Sequence, residues 1–426
     1  MEKSTRPQEQ LAKENRSGSF VDNMKLPIHR WFRYSAGFSA EWVQNMILEH
    51  KTENSYQVLD PFVGSGTTLL VADQLGVSSI GVEAHPFVAR IGQAKLQWAS
   101  PARAFHDKVI QIVDTAMSCS AASVPTVPKL MTDCYSDPVI RKLYRLRDAY
   151  LHWQDDTPAS ELAWLAITAI LRSTSKAGTA QWQYILPNKE KKVVTEPYEA
   201  LQAQVHRMMD DMNEFQQHQP ASRAQLISND ARQLTTIPSG CIDLVITSPP
   251  YANNYDYADA TRLEMTFWGE VESWGDLHDV VRNKLIVSSS QHAAKEKLQL
   301  EELLQRQELD AIRQELSLVC ATLARERFQH GGKKQYHTMV AAYFSDVSKV
   351  FRELRRVCKP GSILCLMIGD SAPYGVYLPV DQWLGQLALS WGFRSYRFEK
   401  VRDRNIKWKN RKHQVPLNEG RLWIAG

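Results

Sequence analysis

Apolar residues along the chain follow two alternating periods, and this alternation predicts an α/β fold. Short apolar runs at residues 57–59 and 78–83 flank a glycine-rich turn and a helical pattern that ends near Gly76. A strand, a turn, a helix and a second strand within about 30 residues form the βαβ unit of a parallel sheet. A further helix is expected to begin near Ser39, which would cap it.

The apolar spacing becomes helical between about residues 87 and 225. Helical patterns cover residues 87–99, 138–153, 159–175 and 197–219. This block is too long for a single crossover between strands, so it predicts a helical insertion, which we place at residues 111–222.

Strand patterns return at residues 224–234 and 241–251. Helix-then-strand patterns follow over 345–371, with a Lys-Pro-Gly turn expected between helix and strand, and over 381–403. Between them, a polar helical stretch predicts a second insertion or mobile arm near residues 275–335. A final strand is expected at the end of a basic C-terminal segment. The whole pattern predicts a doubly wound, Rossmann-like sheet with helical insertions.

Composition limits the partners, metal sites and cellular location that we expect for the protein. The 426 residues are 43% hydrophobic and 23% charged, as in ordinary globular proteins, and a net charge of +4 does not demand a polyanionic partner. The six cysteines include no C-x-x-C pair, so we predict no metal site. Residues 1–24 are expected to form a flexible tail without a secretory signal, and the longest apolar stretch, residues 162–171, is too short to span a membrane. We therefore expect a cytoplasmic protein.

The first candidate site is the turn DPFVGSGTT at residues 60–68. Gly64 and Gly66 would let a ligand approach the backbone closely, and Thr67 and Thr68 open a helix whose first N–H groups are free for that ligand. A lysine does not follow the second glycine, which argues against a P-loop, and a third glycine at dinucleotide spacing is missing.

Acidic residues stand on both sides of this turn. Asp60 precedes it and can receive a cationic or N–H-bearing group, whereas Glu83 closes the next strand, where a carboxylate can hold ribose hydroxyls. The combination predicts a cofactor of the nucleoside type.

Together with TSPPY at residues 247–251, the glycine turn resembles the amino-methyltransferases that use S-adenosyl-L-methionine to methylate exocyclic amines of DNA bases. The resemblance implies a class I methyltransferase fold, with a cofactor-binding part at residues 25–110 and a catalytic half at residues 223–426. In that family the glycine turn cradles the methionine end of the cofactor and the acidic residue takes the ribose. On this chain, these roles fall on Asp60, Phe62, Gly64, Gly66 and Glu83.

Two further segments extend the resemblance. ISNDARQL is similar to the third cofactor motif, which implies that Asp230 lies near the adenine ring. RYSAGFSAEWVQNMI is similar to the segment that precedes the glycine turn, which implies that Gly37, Phe38 and Ser39 contact the methionine moiety.

The TSPPY turn ends an apolar strand with two residues that cannot extend a sheet. An exocyclic amine is a poor nucleophile, because its lone pair is delocalised into the base. Oxygens that accept the amine hydrogens would expose this lone pair, and we expect Ser248 and the Pro249 carbonyl to do so, with Pro250 completing the rigid turn. Tyr251 would stack on a base flipped out of the duplex or already single-stranded.

The target base stays open between two amines. In the family, serine before the two prolines goes more often with cytosine N4 than with adenine N6, so Ser248 favours cytosine. Cytosine C5 chemistry is disfavoured because no Pro-Cys dipeptide occurs. An RNA or protein amine methyltransferase, and an inactive nucleic-acid-binding subunit of the same fold, remain as alternatives.

DNA is the expected partner, and contacts are predicted in two places. After the proline turn, base contact is expected from Asn253, Asn254 and Tyr255. In the basic segment RDRNIKWKNRKH, phosphate contact is expected from Arg404, Lys407 and Lys409. Asp230 and Ser248 are too close in sequence to hold a recognition domain between them, so the helical insertion is the candidate for target recognition. The resemblance also implies a restriction–modification or phage-defence context with partner proteins.

Overall fold

The computed structural model describes residues 20–52, 55–118, 127–180, 183–218, 222–253, 256–295, 298–404 and 415–426. The strands are β1 (Gln57–Asp60), β2 (Ser78–Glu83), β3 (Ala177–Thr179), β4 (Ile185–Glu190), β5 (Ala224–Ser228), β6 (Ile242–Thr247), β7 (Cys358–Gly369), β8 (Ser395–Asp403) and β9 (Asn418–Ala425). β3 and β4 form a separate antiparallel hairpin.

The main sheet has seven strands in the order β5-β2-β1-β6-β7-β9-β8. The strands from β5 to β7 are parallel, and β9 runs antiparallel to β7 and β8. β1 pairs directly with β6, where Val58 lies opposite Leu244. The winding direction reverses between these two strands, so their carboxyl ends border the crevice in which doubly wound folds bind ligands.

Helices flank the sheet and make up most of the described chain between β2 and β5 and between β6 and β7. They are α1 (Ala40–His50), α2 (Thr67–Gln74), α3 (Pro86–Lys95), α4 (Ala102–Ser118), α5 (Lys129–Cys134), α6 (Asp137–Trp153), α7 (Pro158–Thr174), α8 (Pro197–His218), α9 (Arg262–Trp268), α10 (Leu277–Val280), α11 (Ser290–Lys295), α12 (Leu300–Leu304), α13 (Arg313–Gln329), α14 (Tyr336–Val357) and α15 (Val380–Ser390). Within the described ranges, none of these helices combines the length and the apolar character needed to cross a bilayer.

The helices between β2 and β5 share one hydrophobic core, which includes Phe87, Val88 and Ile91 of α3. Trp164 of α7 is fully buried, and its ring meets Phe87 of α3 edge to face, with 5.3 Å between the ring centroids. Burying one large apolar side chain contributes about 1.5–3 kcal/mol, and aromatic pairs of this geometry add to that. These helices therefore pack side by side with α3, which follows β2 of the sheet.

The α/β fold class is confirmed, and β1, β2, β5, β6 and β9 lie where the sequence pattern places them. The pattern misses the hairpin β3–β4, whose first strand has only three residues. It also misses α4, although the buried face of that helix has a clear helical spacing at Phe105, Val109, Ile112 and Ala116.

Two local predictions need correction. The N–H of Ala40 at the start of α1 donates to Asn23 Oδ1 at 2.9 Å, so Asn23, and not the predicted Ser39, makes the described capping contact. The Lys-Pro-Gly segment expected as a turn belongs to β7, where the pairing register with β6 shifts between Ile242 and Leu244. A shift of this kind absorbs Pro360, which cannot donate a backbone hydrogen bond.

The helices α11, α12 and α13 pack against α14. Leu303, Leu316 and Leu323 are buried in the core that these helices share with α14.

Candidate active site

A cavity of about 1650 Å³ opens at the carboxyl ends of β1, β2 and β6. Phe62 and Glu83 line it on the side of β1 and β2, and Ser248 and Tyr251 line it after β6. The two sequence motifs are far apart along the chain, and the pairing of β1 with β6 brings both to one cavity.

The turn between β1 and α2 has a left-handed backbone at both of its glycines. Gly64 has φ 54° and Gly66, which precedes α2, has φ 97°. A Cβ at position 64 would lie 3.3 Å from Tyr34 Cε1, which is tighter than an ordinary contact. The left-handed conformation alone costs other residues about 1–2 kcal/mol. Position 64 therefore favours glycine for two independent reasons.

Asp60 is fully buried and lies behind the cavity wall. Its carboxylate accepts from Thr68 Oγ1 at 2.6 Å, from Thr247 Oγ1 at 2.7 Å and from the Phe62 N–H at 3.1 Å. Burial raises the pKa of Asp60 to about 6, although these three donors lower it. The carboxylate thus ties the end of β1 to the start of α2 and to the end of β6.

Glu83 presents its carboxylate in the cavity wall. It accepts from the Gly64 N–H at 2.9 Å and from the His85 N–H at 2.8 Å. Burial raises the pKa of Glu83 to about 7, with a smaller rise from the charge of Asp60, while the backbone donors lower it. A carboxylate has about four lone-pair sites, so it keeps capacity to accept from the hydroxyls of a ligand.

The residues predicted to contact a cofactor fall into two groups. Those that line the cavity are Gly37, Phe38, Phe62, Gly64, Thr67, Glu83 and Asp230. Those that are not part of its lining are Ser39, Asp60, Gly66 and Thr68. The Asp230 carboxylate also pairs with Arg232 at 2.7 Å, and Arg232 reaches Asp346 at 2.9 Å.

The turn after β6 presents oxygens to the cavity. Ser248 Oγ donates to the Met367 carbonyl of β7 at 3.2 Å, which uses its proton, so towards the cavity this oxygen can act as an acceptor. Pro250 lines the cavity, whereas Pro249 is buried behind it. Neither proline carries an N–H that would compete for an acceptor.

The ring of Tyr251 is held between β7 and the end of β8. A Cβ at Gly369 would lie 2.9 Å from Tyr251 Cε2, so the glycine makes room for the ring. The guanidinium carbon of Arg404 lies 4.8 Å from the ring centroid, and its Nη1 donates to the Asp370 carbonyl at 2.6 Å. Burial raises the pKa of the Tyr251 phenol, so the hydroxyl stays protonated at neutral pH.

Of the residues predicted to contact DNA, Asn253 and Arg404 line the cavity. Asn253 has φ 57°, and its N–H donates to the Ser288 carbonyl at 3.0 Å. Predictions for Asn254, Tyr255, Lys407 and Lys409 lie outside the described residues.

Several cavity residues are not predicted by the motifs. Tyr34, Tyr184, Tyr257, Lys284 and Lys334 line the wall, with the two lysines exposed. Lys334 belongs to the basic cluster GGKK at residues 331–334, which is the one sequence signal that points to it. In the part of the chain that the structure describes, no group of three side chains is placed to hold a metal ion.

A sheet of this order, with a glycine turn after β1 and an acidic residue at the end of β2, defines a class I methyltransferase fold. Comparison with known proteins finds methyltransferases. The family model described as DNA methylase matches residues 4–94. The chain is 27% identical to the Type II methyltransferase M.BsoBI of Geobacillus stearothermophilus, over 91% of this chain and 82% of that protein. It is 24% identical to the Type II methyltransferase M.AvaI of Nostoc sp., over 88% of this chain and 81% of that protein. These matches support the resemblance of the chain to the DNA amino-methyltransferases.

Proposed function

We propose that this chain transfers a methyl group from S-adenosylmethionine to the exocyclic amine of a DNA base, and that the base is cytosine, methylated at N4. One observation carries the proposal: the glycine turn with Glu83 and the turn with Ser248 and Tyr251 face the same cavity at the β1–β6 boundary.

The cavity wall fits the proposed cofactor. The Glu83 carboxylate is fixed by the N–H groups of Gly64 and His85 and keeps acceptor capacity for the two hydroxyls of a ribose. The glycine at position 64 keeps the turn free of a side chain beside Tyr34. Asp60 would act indirectly, since its bonds to Thr68 and Thr247 hold both motifs in place. When bound, S-adenosylmethionine supplies an electrophilic methyl group on its sulfonium.

On the target side, the chain's role is to orient an amine and exclude competing hydrogen bonds. Ser248 Oγ, whose proton is held by Met367, would accept one amine hydrogen, and the carbonyl of a proline would accept the other. Both acceptors strengthen the nucleophile by favouring a tetrahedral nitrogen. Tyr251, held by Gly369 and Arg404, would stack on the flipped base.

The choice of cytosine rests on Ser248 and on the resemblance that links serine at this position with cytosine N4. The names of the two long-matching relatives, both Type II methyltransferases, support a role in a restriction–modification system with a partner protein. We further propose that Arg404 shapes the base pocket, that the exposed Lys284 and Lys334 contact phosphates at its mouth, and that the helical insertion recognises the target sequence.

The test is transfer of a labelled methyl group from S-adenosylmethionine to DNA, RNA and protein, followed by mass spectrometry of the DNA nucleosides. We expect N4-methylcytosine in DNA. N6-methyladenine would overturn the base assignment, and label on RNA or protein alone would overturn the substrate class. If wild-type protein transferred no label to any acceptor, the enzymatic proposal would fail.

A matched pair of variants tests the stacking role. Tyr251→Ala removes the ring, and the expected loss of about 1–3 kcal/mol of base stacking corresponds to a fall in kcat/KM of about 5- to 150-fold. Tyr251→Phe keeps the ring and should retain most of the activity. Equal losses in the two variants would refute stacking and would point to the phenol hydroxyl.

A further inference from the structure

The hairpin between β3 and β4 contains two consecutive residues that contact different segments of the cavity wall or the backbone next to it. Gln183 and Tyr184 immediately precede β4, and Tyr184 lines the cavity. Gln183 has φ 62°, a left-handed conformation that costs a glutamine free energy and that the surroundings must stabilise.

The side chain of Gln183 holds the segment on the cofactor side. It is almost fully buried, its Nε2 donates to the Arg33 carbonyl at 2.6 Å, and its Oε1 accepts from the Ser35 N–H at 2.6 Å. Ser35 leads directly into Gly37 and Phe38, which line the cavity. A single amide therefore fixes the backbone that approaches the proposed cofactor site.

The side chain of Tyr184 holds the segment on the target side. Its phenol oxygen accepts from the Asp256 N–H at 2.6 Å, shortly after the turn that contains Tyr251. The Asp256 carboxylate is bound in turn by the buried Arg282, with Nη2 to Oδ2 at 2.6 Å. Asp256 is thus held through both its backbone N–H and its carboxylate.

A third contact joins Gln183 to residues at and before helix α9. Arg172 of α7 donates to the Gln183 carbonyl at 2.7 Å and to the Ala260 carbonyl at 2.8 Å. Its guanidinium also pairs with the buried Glu264 of α9 at 2.5 Å. The strained backbone at Gln183 is therefore held by contacts on several sides, as expected where strain serves a site.

We infer that Gln183 and Tyr184 are a positioning pair, through which the insertion sets the cofactor segment with one side chain and the target-side loop with the next. The inference rests on the proposed function, since it assigns the two sides of the cavity to cofactor and DNA. It predicts that the two residues control different kinetic constants.

The experiment compares Gln183→Glu, Tyr184→Phe and a control variant in the full-length protein. Gln183→Glu keeps the acceptor for Ser35 but replaces the donor to the Arg33 carbonyl with an oxygen. We expect a three- to tenfold rise in the Kd and KM for S-adenosylmethionine, with the KM for DNA unchanged. Tyr184→Phe removes the hydroxyl that accepts from the Asp256 N–H, and it should raise the KM for DNA or lower kcat three- to tenfold while the Kd for S-adenosylmethionine is unchanged.

Tyr135→Phe is the matched control. The Tyr135 hydroxyl donates to the Leu171 carbonyl at 2.7 Å within the same insertion, and this buried residue is not part of the cavity lining. It should lower Tm about as much as Tyr184→Phe and leave the kinetic constants unchanged. If Tyr184→Phe and Gln183→Glu shifted only Tm, or shifted both substrates alike, the inference would be overturned.

Calorimetric titration with S-adenosylmethionine separates this inference from the proposed function. A wild-type protein that binds the cofactor but methylates no DNA would refute the proposed function and the target-side half of the inference. A weaker Kd in Gln183→Glu would then still support the cofactor-side half, whereas an unchanged Kd would refute that half as well.

Discussion

Replacing Gly64 with alanine should damage stability and cofactor binding by separate routes. At φ 54°, an alanine pays about 1–2 kcal/mol for the left-handed backbone. Its Cβ would lie 3.3 Å from Tyr34 Cε1, so the ring has to shift by a few tenths of an ångström. Such a shift disturbs the bond of 2.9 Å from the Gly64 N–H to Glu83, and a hydrogen bond of this kind contributes about 0.5–1.5 kcal/mol. We expect a stability loss of about 1–2 kcal/mol and a two- to tenfold weaker affinity for S-adenosylmethionine.

Gly240→Ala is the control for the backbone cost. Gly240 has φ 63°, and no described atom lies within 4 Å of the position that its Cβ would take. Urea unfolding should show a similar loss of stability in both variants, and calorimetric titration should show weaker cofactor binding in Gly64→Ala alone. If Gly64→Ala bound S-adenosylmethionine as tightly as Gly240→Ala does, the proposed cradle would be refuted.

Three further predictions concern charge. Because burial raises the pKa of Glu83 to about 7, the affinity of the wild type for S-adenosylmethionine should rise between pH 6 and pH 8 as the carboxylate ionises. In calorimetry, Glu83→Gln should bind the cofactor weakly and its affinity should not depend on pH. If the affinity of the wild type did not change with pH, the acceptor role of Glu83 would be contradicted. The pKa of Asp60 is raised from 3.8 to about 6, so its contribution to stability is fully present below pH 3.8 and is lost as the pH rises through 6. That contribution amounts to about 3 kcal/mol. In urea unfolding, Asp60→Asn should therefore gain stability relative to the wild type from pH 4 to pH 7. If the difference in unfolding free energy between the two proteins stayed constant over this range, the prediction would be refuted. Lys334→Gln should reduce the slope of DNA affinity against salt by about 1 and leave cofactor affinity unchanged; an unchanged slope would remove Lys334 from the proposed phosphate contacts.

The sequence was sufficient to predict the fold class and the two turns, because each turn is a contiguous motif at the end of an apolar strand. The sequence could not show whether an acidic side chain at a strand end points into the cavity or away from it. Asp60 and Glu83 both close strands, yet Glu83 lines the cavity while Asp60 bonds to Thr68 and Thr247 behind it. The difference depends on the hydroxyls that the neighbouring strand and helix bring to Asp60.

Local sequence patterns also could not predict the site residues that distant parts of the chain bring to the cavity. Tyr184 reaches the cavity from a hairpin that the pattern does not predict, because three residues are too few to show a strand period. Arg404 looks like part of a basic terminal segment, but its guanidinium stacks on Tyr251 and binds a backbone carbonyl. Such roles depend on which elements meet in space.

The direct pairing of β1 with β6 has a consequence for how the chain is made. Val58 can pair with β6 only after Leu244 has been synthesised, and almost half of the chain lies between the two residues. At about 5–20 residues per second, this edge of β1 remains uncovered on the ribosome for about 10–40 s. An uncovered strand edge can pair with the wrong partner, whereas the intervening helices can form early through local contacts. The nascent chain therefore has a long interval in which β1 depends on chaperones or on the chain's own helices for protection.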